Sequence, residues 1–483
     1  MLFNSLKYLL FLPIVVILYW ASPKRFRVPI LLIASYVFYM SWRPVFILLI
    51  LALTVANYFF GHAIWRSKNR KKLWLTLSVA LNLSTLAFFK YAYFFDDLAG
   101  QLLKPLGIVV GKMPFDIILP LGISFFVFEF IHYVVDVYRG SEPIKSFPAF
   151  ALFASFFPTQ IAGPIKRFQD FIPQFLSPAK FSIEHFDEGI SLILLGLFKK
   201  VLLADNLSLF VWGGFSHPEL FGGLDLWLFT YAFAFQIYYD FSGYTDIARG
   251  SAMLFGYKVP INFNLPYVAA NIAEFWHRWH ISLSTWLRDY LFIPLGGSRC
   301  APWLSARNLL ITMTLGGLWH GAAMHYMIWG VFHGVLLIAH REFKRLREST
   351  AWLGSLVCSA PGRIACTLLT FHAVCVGWVL FRADTANIAW QMLVKMFSFA
   401  PAADGVTACK MALPTINYPL IYPTIYLLLP LYAVSHIFMS WLDKTTLVKR
   451  SPIPLKVVWC AVMMLLVVIF SPDKSPRFIY FQF

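Results

Sequence analysis

Apolar runs approaching the roughly 20 residues that a bilayer-crossing helix needs recur along the whole of this 483-residue chain. They lie near 6–21, 45–64, 73–95, 115–135, 364–381, 418–441 and 453–470. Hydrophobic residues make up 59% of the chain and charged ones 13%, against about 25% charged in soluble domains. Folded in water, such a chain leaves far too much apolar surface exposed. The expectation is an all-α polytopic membrane protein forming one integral domain over residues 1–483. Regular spans, about 1–135 and 325–475, flank an irregular middle at about 145–320.

The net charge of +17 fits loops that obey the positive-inside rule. No basic soluble module is visible, so nucleic-acid binding is excluded. The six cysteines show neither CxxC nor zinc spacing, which points to no disulfide framework and no metal. The first residues lack a basic n-region and a small-residue cleavage site, so the first apolar run is expected to be retained as a span. Lys24, Arg25 and Arg27 follow the first run, and Arg66, Lys68, Arg70, Lys71 and Lys72 follow the third. Arg341, Lys344, Arg345 and Arg347 form another basic cluster. Reading the first two as basic ends of the runs and the third as a basic loop, all cytoplasmic, places both termini outside.

In the middle, the apolar pieces Phe150–Phe157 and Phe263–Ile272 are too short to span, and proline or glycine interrupts the chain in or beside them. Non-helical backbone at membrane depth is tolerated only inside protein or along a wet cavity. Re-entrant segments are therefore expected, packed within a ring of about ten to twelve helices around a central tunnel. The halves share no duplicated motif, which counts against an inverted-repeat transporter.

Chemistry concentrates in that middle. His320 sits in Gly316-Gly317-Leu318-Trp319-His320-Gly321, inside an apolar stretch. An imidazole at membrane depth is costly, and it can exchange a proton near neutral pH. Gly316, Gly317 and Gly321 permit close approach of another backbone or a ligand, and Trp319 supplies a flat wall. The ring is either a core histidine or a general base acting on a hydroxyl. Glu274 to Asp289 is the densest polar patch. On one helix, Glu274 pairs with Arg278, and Trp276, His277 and His280 share a face, with Arg288 and Asp289 about two turns beyond. This reads either as an interfacial helix or as a support that turns His280, Trp279, Ser284, Arg288 and Asp289 toward the cavity of His320. For His277 the alternative is to face the membrane interface.

The stretch Gln236 to Asp246 gathers Asp240, Ser242, Tyr244 and Asp246, with Ser242-Gly243 expected to break a helix. Structural hydrogen bonding and cavity lining both remain open there. No GxSxG elbow supports a Ser242 triad. Phe157 to Pro164 reads as a bent segment offering Gln160 to a substrate, and Lys199-Lys200 as a basic helix end. His372 and His436 fall in ordinary spans.

At Leu119–Phe126, Asp136–Gly140, Ala162–Ile165, Asp240–Tyr244, Glu274–Tyr290, Gly316–Gly321 and Arg477–Phe483 the chain resembles the membrane-bound O-acyltransferase family. The likeness is to the bacterial branch that holds the membrane subunits of alginate and peptidoglycan O-acetyltransferases. The resemblance implies helices ringed around a thinned centre, an essential role for His320 and a supporting role for His280. It implies an inner-membrane enzyme that takes acetyl from cytosolic acetyl-CoA toward a polysaccharide acceptor outside. It also implies a separate extracytoplasmic acetyltransferase as partner, with membrane lipids around the chain. The rival readings are the same chemistry on lipid or protein, a proton-coupled transporter using Asp240, Asp246 and the histidines, and a non-catalytic scaffold.

Overall fold

The computed structural model describes residues 1, 3–106, 116–161, 163–177, 180–398, 430–437, 453–471 and 478–479. Among them the chain is helical, with no strand. Three helical stretches are long and apolar enough to cross a bilayer: Phe46–Arg66, Lys71–Leu106 and Ala360–Arg382. They match the runs near 45–64, 73–95 and 364–381. Most of the run expected at 418–441 lies outside the described residues.

The chain divides into two compact units. The first comprises residues 1–196 and 244–261, the second 197–243 and 262–483.

The first unit opens with α1 (Leu6–Ala21) and α2 (Lys24–Met40). Lys24, Arg25 and Arg27 follow α1 as the first residues of α2, with Ser22-Pro23 making the turn between the two helices. Arg27 is buried, its guanidinium 4.6 Å from the Trp20 ring centre and 5.0 Å from that of Tyr19. Such stacking lets an arginine lie against aromatic surface. Next come α3 (Phe46–Arg66), α4 (Lys71–Leu86) and α5 (Ala92–Leu103), the last two joined by a π-helical turn at Ala87–Tyr91. Helix α6 is Ile123–Tyr138. It begins later than the apolar run, after Pro120 and a left-handed Gly122. Helices α3, α4 and α6 pack together. Asn57 and Asn82 bond across α3 and α4 at 2.8 Å, and Ser78 donates to Asn57 at 2.9 Å. Polar bonds of this kind join helices where the hydrophobic effect does not discriminate.

The short α7 (Phe147–Ser155) is wholly buried from Ala149 onward, which agrees with a piece too short to span. Helices α8 (Phe168–Leu176) and α9 (Ile183–Leu197) follow. Gly189 of α9 meets Gly250, where a Cβ would strike the Gly189 carbonyl oxygen. Small residues allow this backbone approach.

The second unit begins with a π-helical segment, Phe198–Ala204, running into α10 (Asp205–Ser216). Helix α11 (Gly223–Leu254), whose residues from Tyr244 on are counted in the first unit, continues without a break through Ser242-Gly243, against the expected interruption there. Neither residue removes a main-chain donor, and a glycine inside a long helix costs only about 1 kcal/mol. Helices α12 (Ile272–Arg278), α13 (Ile281–Leu287), α14 (Pro302–His320) and α15 (Met324–Ser349) come next. After them lie α16 (Ala351–Cys358), α17 (Ala360–Arg382), α18 (Ala386–Ser398) and α19 (Ile453–Ile469). Helices α14 and α15 form the most extensive helix pair among the described residues. A Cβ on Gly317 would meet the Tyr326 carbonyl, and one on Gly330 the Met313 carbonyl. Of the glycines beside His320, Gly317 thus serves backbone approach between two helices, while Gly321 makes room for the Tyr326 ring and Gly316 faces the Leu287 side chain.

Candidate active site

His320 is the last residue of α14. Its ring lies among three aromatic rings, with centres 4.9 Å away for Trp319, 5.2 Å for Trp329 and 5.2 Å for Phe381. The residue is buried, at 5% exposure. Sequence places Trp319 next to it, and the α14–α15 pairing brings in Trp329.

His280 reaches the same indole from another element. Its ring centre lies 6.0 Å from that of Trp319 and 4.7 Å, edge-on, from that of Phe241. It is fully buried. The stretch from Glu274 to Asp289 is not one helix, contrary to expectation. Helix α12 ends at Arg278, α13 begins at Ile281, and His280 lies between them with φ +42°. Beyond α13 the chain forms a π-helical turn, Arg288–Phe292. His277 and Trp276 therefore do not share a helix face with His280. His277 is exposed and bonds the Ala273 carbonyl at 2.6 Å.

Left-handed backbone is unusual outside glycine and persists where its surroundings over-determine it, often at functional sites. Here both flanks are tied down by residues 262–264. The Asn264 N–H donates to the Arg278 carbonyl at 2.9 Å, and the Ile281 N–H to the Asn262 carbonyl at 3.0 Å. The Ser282 hydroxyl donates to Asn262 Oδ1 at 2.6 Å. Arg278 also pairs with Glu274, Nε to Oε1 at 2.9 Å, as the spacing predicts, and donates to the Asn264 carbonyl at 3.0 Å.

The remaining expected site residues take varied places. Trp279 is buried in an aromatic cluster with Trp378 at 4.9 Å and Phe263 at 5.0 Å. The Ser284 hydroxyl donates to the Trp279 carbonyl at 3.2 Å, so it serves the α12–α13 junction. Arg288 and Asp289 pair with each other at 2.7 Å, and Arg288 is half exposed. Ser242 is buried, and its hydroxyl has no hydrogen-bond partner among the described residues. In the first unit, Tyr244 stacks on Phe3 at 4.4 Å and Asp246 pairs with Arg249 at 3.6 Å. Gln160 is also there, buried, its amide without a hydrogen-bond partner among the described residues.

Asp240 belongs to a buried ionic cluster. Lys200 Nζ stands 2.6 Å from Asp240 Oδ1 and 2.7 Å from Asp205 Oδ1. Lys200 is therefore no exposed helix end. The π-helical segment changes the register of its side chains, and such bulges recur at functional sites.

Two further features escaped the sequence reading. His333, on α15, is fully buried, with ring centres 4.9 Å from Trp329 and 5.2 Å from Trp276. Its position four residues after Trp329, between Gly330 and Gly334, was the available signal. In the first unit, Lys166 pairs with Glu129 at 2.7 Å, both buried, and donates to Thr159 at 2.8 Å. His436, expected in an ordinary span, is buried against Tyr238 at 4.9 Å. Among the described residues, no three His, Cys, Asp or Glu side chains converge as a metal site needs.

A helical membrane protein whose two buried histidines meet one indole is the class of molecule these features define. Residues 34–380 match the membrane-bound O-acyltransferase family, and the chain belongs to that family: it is an O-acyltransferase. It is 43% identical over 406 residues to a probable alginate O-acetylase AlgI of Azotobacter vinelandii, covering 83% of this chain and 78% of that one. It is 34% identical over 414 residues to a peptidoglycan O-acetyltransferase of Helicobacter pylori, covering 79% and 75%. A teichoic acid D-alanyltransferase of Bacillus subtilis is 30% identical over 289 residues, covering 56% and 70%.

Proposed function

We propose that this enzyme is an inner-membrane, multi-pass O-acetyltransferase. It moves acetyl from cytosolic acetyl-CoA to a hydroxyl of an extracytoplasmic cell-envelope polysaccharide, directly or through a partner acetyltransferase. In this reading His320 takes the proton from the attacking hydroxyl, or relays it, as the acyl carbon leaves the thioester sulfur for oxygen. His280 orients the acceptor or steadies the charge that develops. One integral domain carries both, its helices ringed around a tunnel that donor and acceptor enter from opposite sides, with both termini outside.

The observation that carries this proposal is the approach of His280 and His320 to Trp319 from separate elements, with His280 held in a left-handed conformation. The three relatives are named for acyl transfer to alginate, to peptidoglycan and to teichoic acid, and all three acceptors are envelope polymers. The test is transfer of labelled acetyl from acetyl-CoA on one side of reconstituted vesicles to a glycan hydroxyl on the other. Label reaching lipid or protein instead would redirect the acceptor assignment. Proton-coupled solute flux without consumption of acetyl-CoA would overturn the proposal.

A further inference from the structure

The cluster of Lys200, Asp205 and Asp240 sets two carboxylates against one ammonium. Asp205 at 2.7 Å already neutralises Lys200, and both are buried. Asp240 adds a second negative charge at 1% exposure, and a buried charge is costly without full compensation. Its two oxygens have different partners. Oδ1 meets Lys200 at 2.6 Å, while Oδ2 accepts the main-chain N–H of Ile479 at 2.8 Å. A bond from an amide to a carboxylate is charge-assisted and stronger than a neutral one.

The next residue on α11 touches the same end of the chain. The Phe478 ring centre lies 5.8 Å from that of Phe241, and Phe241 lies edge-on to His280 at 4.7 Å. Phe478 and Ile479 are buried, at 2% and 5% exposure, although 239 positions separate Ile479 from Asp240. Two consecutive residues of α11 thus hold two consecutive residues near the end of the chain.

We propose that Asp240, itself fixed by Lys200, is a positioning residue that clamps the chain at Phe478–Ile479 against Phe241 and so sets how Phe241 packs on His280. The inference rests on the acyltransferase mechanism above for its consequence in catalysis, but the clamp is defined by geometry alone. Removing Asp240 leaves Lys200 and Asp205 as a balanced pair, so Asp240→Ala folds. Ile479→Pro removes the donating N–H and leaves the ionic cluster untouched.

The experiment uses the full chain in detergent with acetyl-CoA and a glycan acceptor. Asp240→Ala and Ile479→Pro each lower kcat by about 10- to 10²-fold, as expected for lost positioning. KM for acetyl-CoA stays within about twofold, because donor binding is untouched. The double variant is no slower than the slower single one, since both remove the same bond. A second arm needs no activity. Ile479→Cys keeps the main-chain N–H and is probed with a maleimide, and modification of the C-terminal peptide is read by mass spectrometry. The introduced thiol is protected with Asp240 present and modified rapidly when Asp240→Ala is added. Multiplicative losses in the double variant, wild-type turnover by Ile479→Pro, or a thiol equally protected in both backgrounds would overturn the clamp. An otherwise unaltered chain without acetyl transfer, whose Ile479→Cys thiol still shows Asp240-dependent protection, would overturn the mechanism and leave the clamp standing.

Discussion

Asn262 accepts the hydroxyl of Ser282 on its side-chain oxygen at 2.6 Å, and this bond fixes the chain two residues beyond the left-handed His280. Both residues are buried. Asn262→Ala leaves the Ser282 hydroxyl without this acceptor, which costs about 1–3 kcal/mol for a buried polar group. The expected result is a lower midpoint of unfolding in detergent together with reduced acyl transfer. Adding Ser282→Ala recovers part of the stability, because the hydroxyl that lost this acceptor is gone. A double-mutant cycle on the unfolding midpoint checks the coupling, and strictly additive losses would contradict it.

The backbone at His280 makes its own prediction. A φ of +42° suits asparagine better than alanine, since asparagine enters this region readily and alanine pays roughly 1 kcal/mol to do so. His280→Asn should therefore unfold at higher denaturant than His280→Ala, while both lose the imidazole and fall in activity. Equal midpoints would mean that the junction relaxes out of the left-handed region once the ring is gone.

Lys200 stands between two buried carboxylates, so its loss is far worse than the loss of either acid. Lys200→Met leaves Asp205 and Asp240 without their shared cation and is expected to cost about 3–5 kcal/mol. Asp240→Ala, which leaves a balanced pair, costs much less. The comparison is the yield of folded protein and its unfolding midpoint at matched expression. Similar yields for the two variants would mean that water reaches this cluster.

The contrast between Lys200 and Arg278 explains how much of this molecule could be read from its sequence. Helical class, the spans at 45–64, 73–95 and 364–381, and the Glu274–Arg278 pair follow from hydropathy and i,i+4 spacing, which are local properties. His320 and His280 stand out in the sequence as rare polar groups in apolar context, and both are buried. Lys200 reads as a basic helix end because its partner Asp240 is forty residues away, and a π-helical turn redirects its side chain. The break at Arg278–Ile281 was hidden for a similar reason. The bonds that hold His280 left-handed come from residues 262–264, which no periodicity connects to that segment. His333 was passed over because it stands in a regular helix, where its burial depends on Trp276 arriving from elsewhere.

Orientation is open to direct test. Reporter fusions or cysteine labelling should place Lys68 and Arg345 in the cytoplasm and Phe483 outside, as the distribution of basic residues requires. A cytoplasmic Phe483 would reverse the reading of the last spans and put an odd number of crossings in the chain.

The sharpest expectation concerns the histidines themselves. His320→Ala should insert normally, because alanine replaces a polar ring that is costly to bury among Trp319, Trp329 and Phe381. It should lose about 10²-fold or more in acetyl transfer if the ring is the general base. His280→Ala should lose less, because orientation is shared among several contacts. His372, which bonds the Tyr231 hydroxyl at 2.8 Å, is the control and should stay near wild type as alanine. His436 is a poorer control, since its ring packs on Tyr238 and Tyr267 in the cluster that holds Trp279. The measurement is O-acetyl content of the polymer in cells carrying each variant at matched membrane levels. Normal acetylation by His320→Ala would remove the base from the mechanism, and equal loss at His320, His280 and His372 would point to folding damage instead.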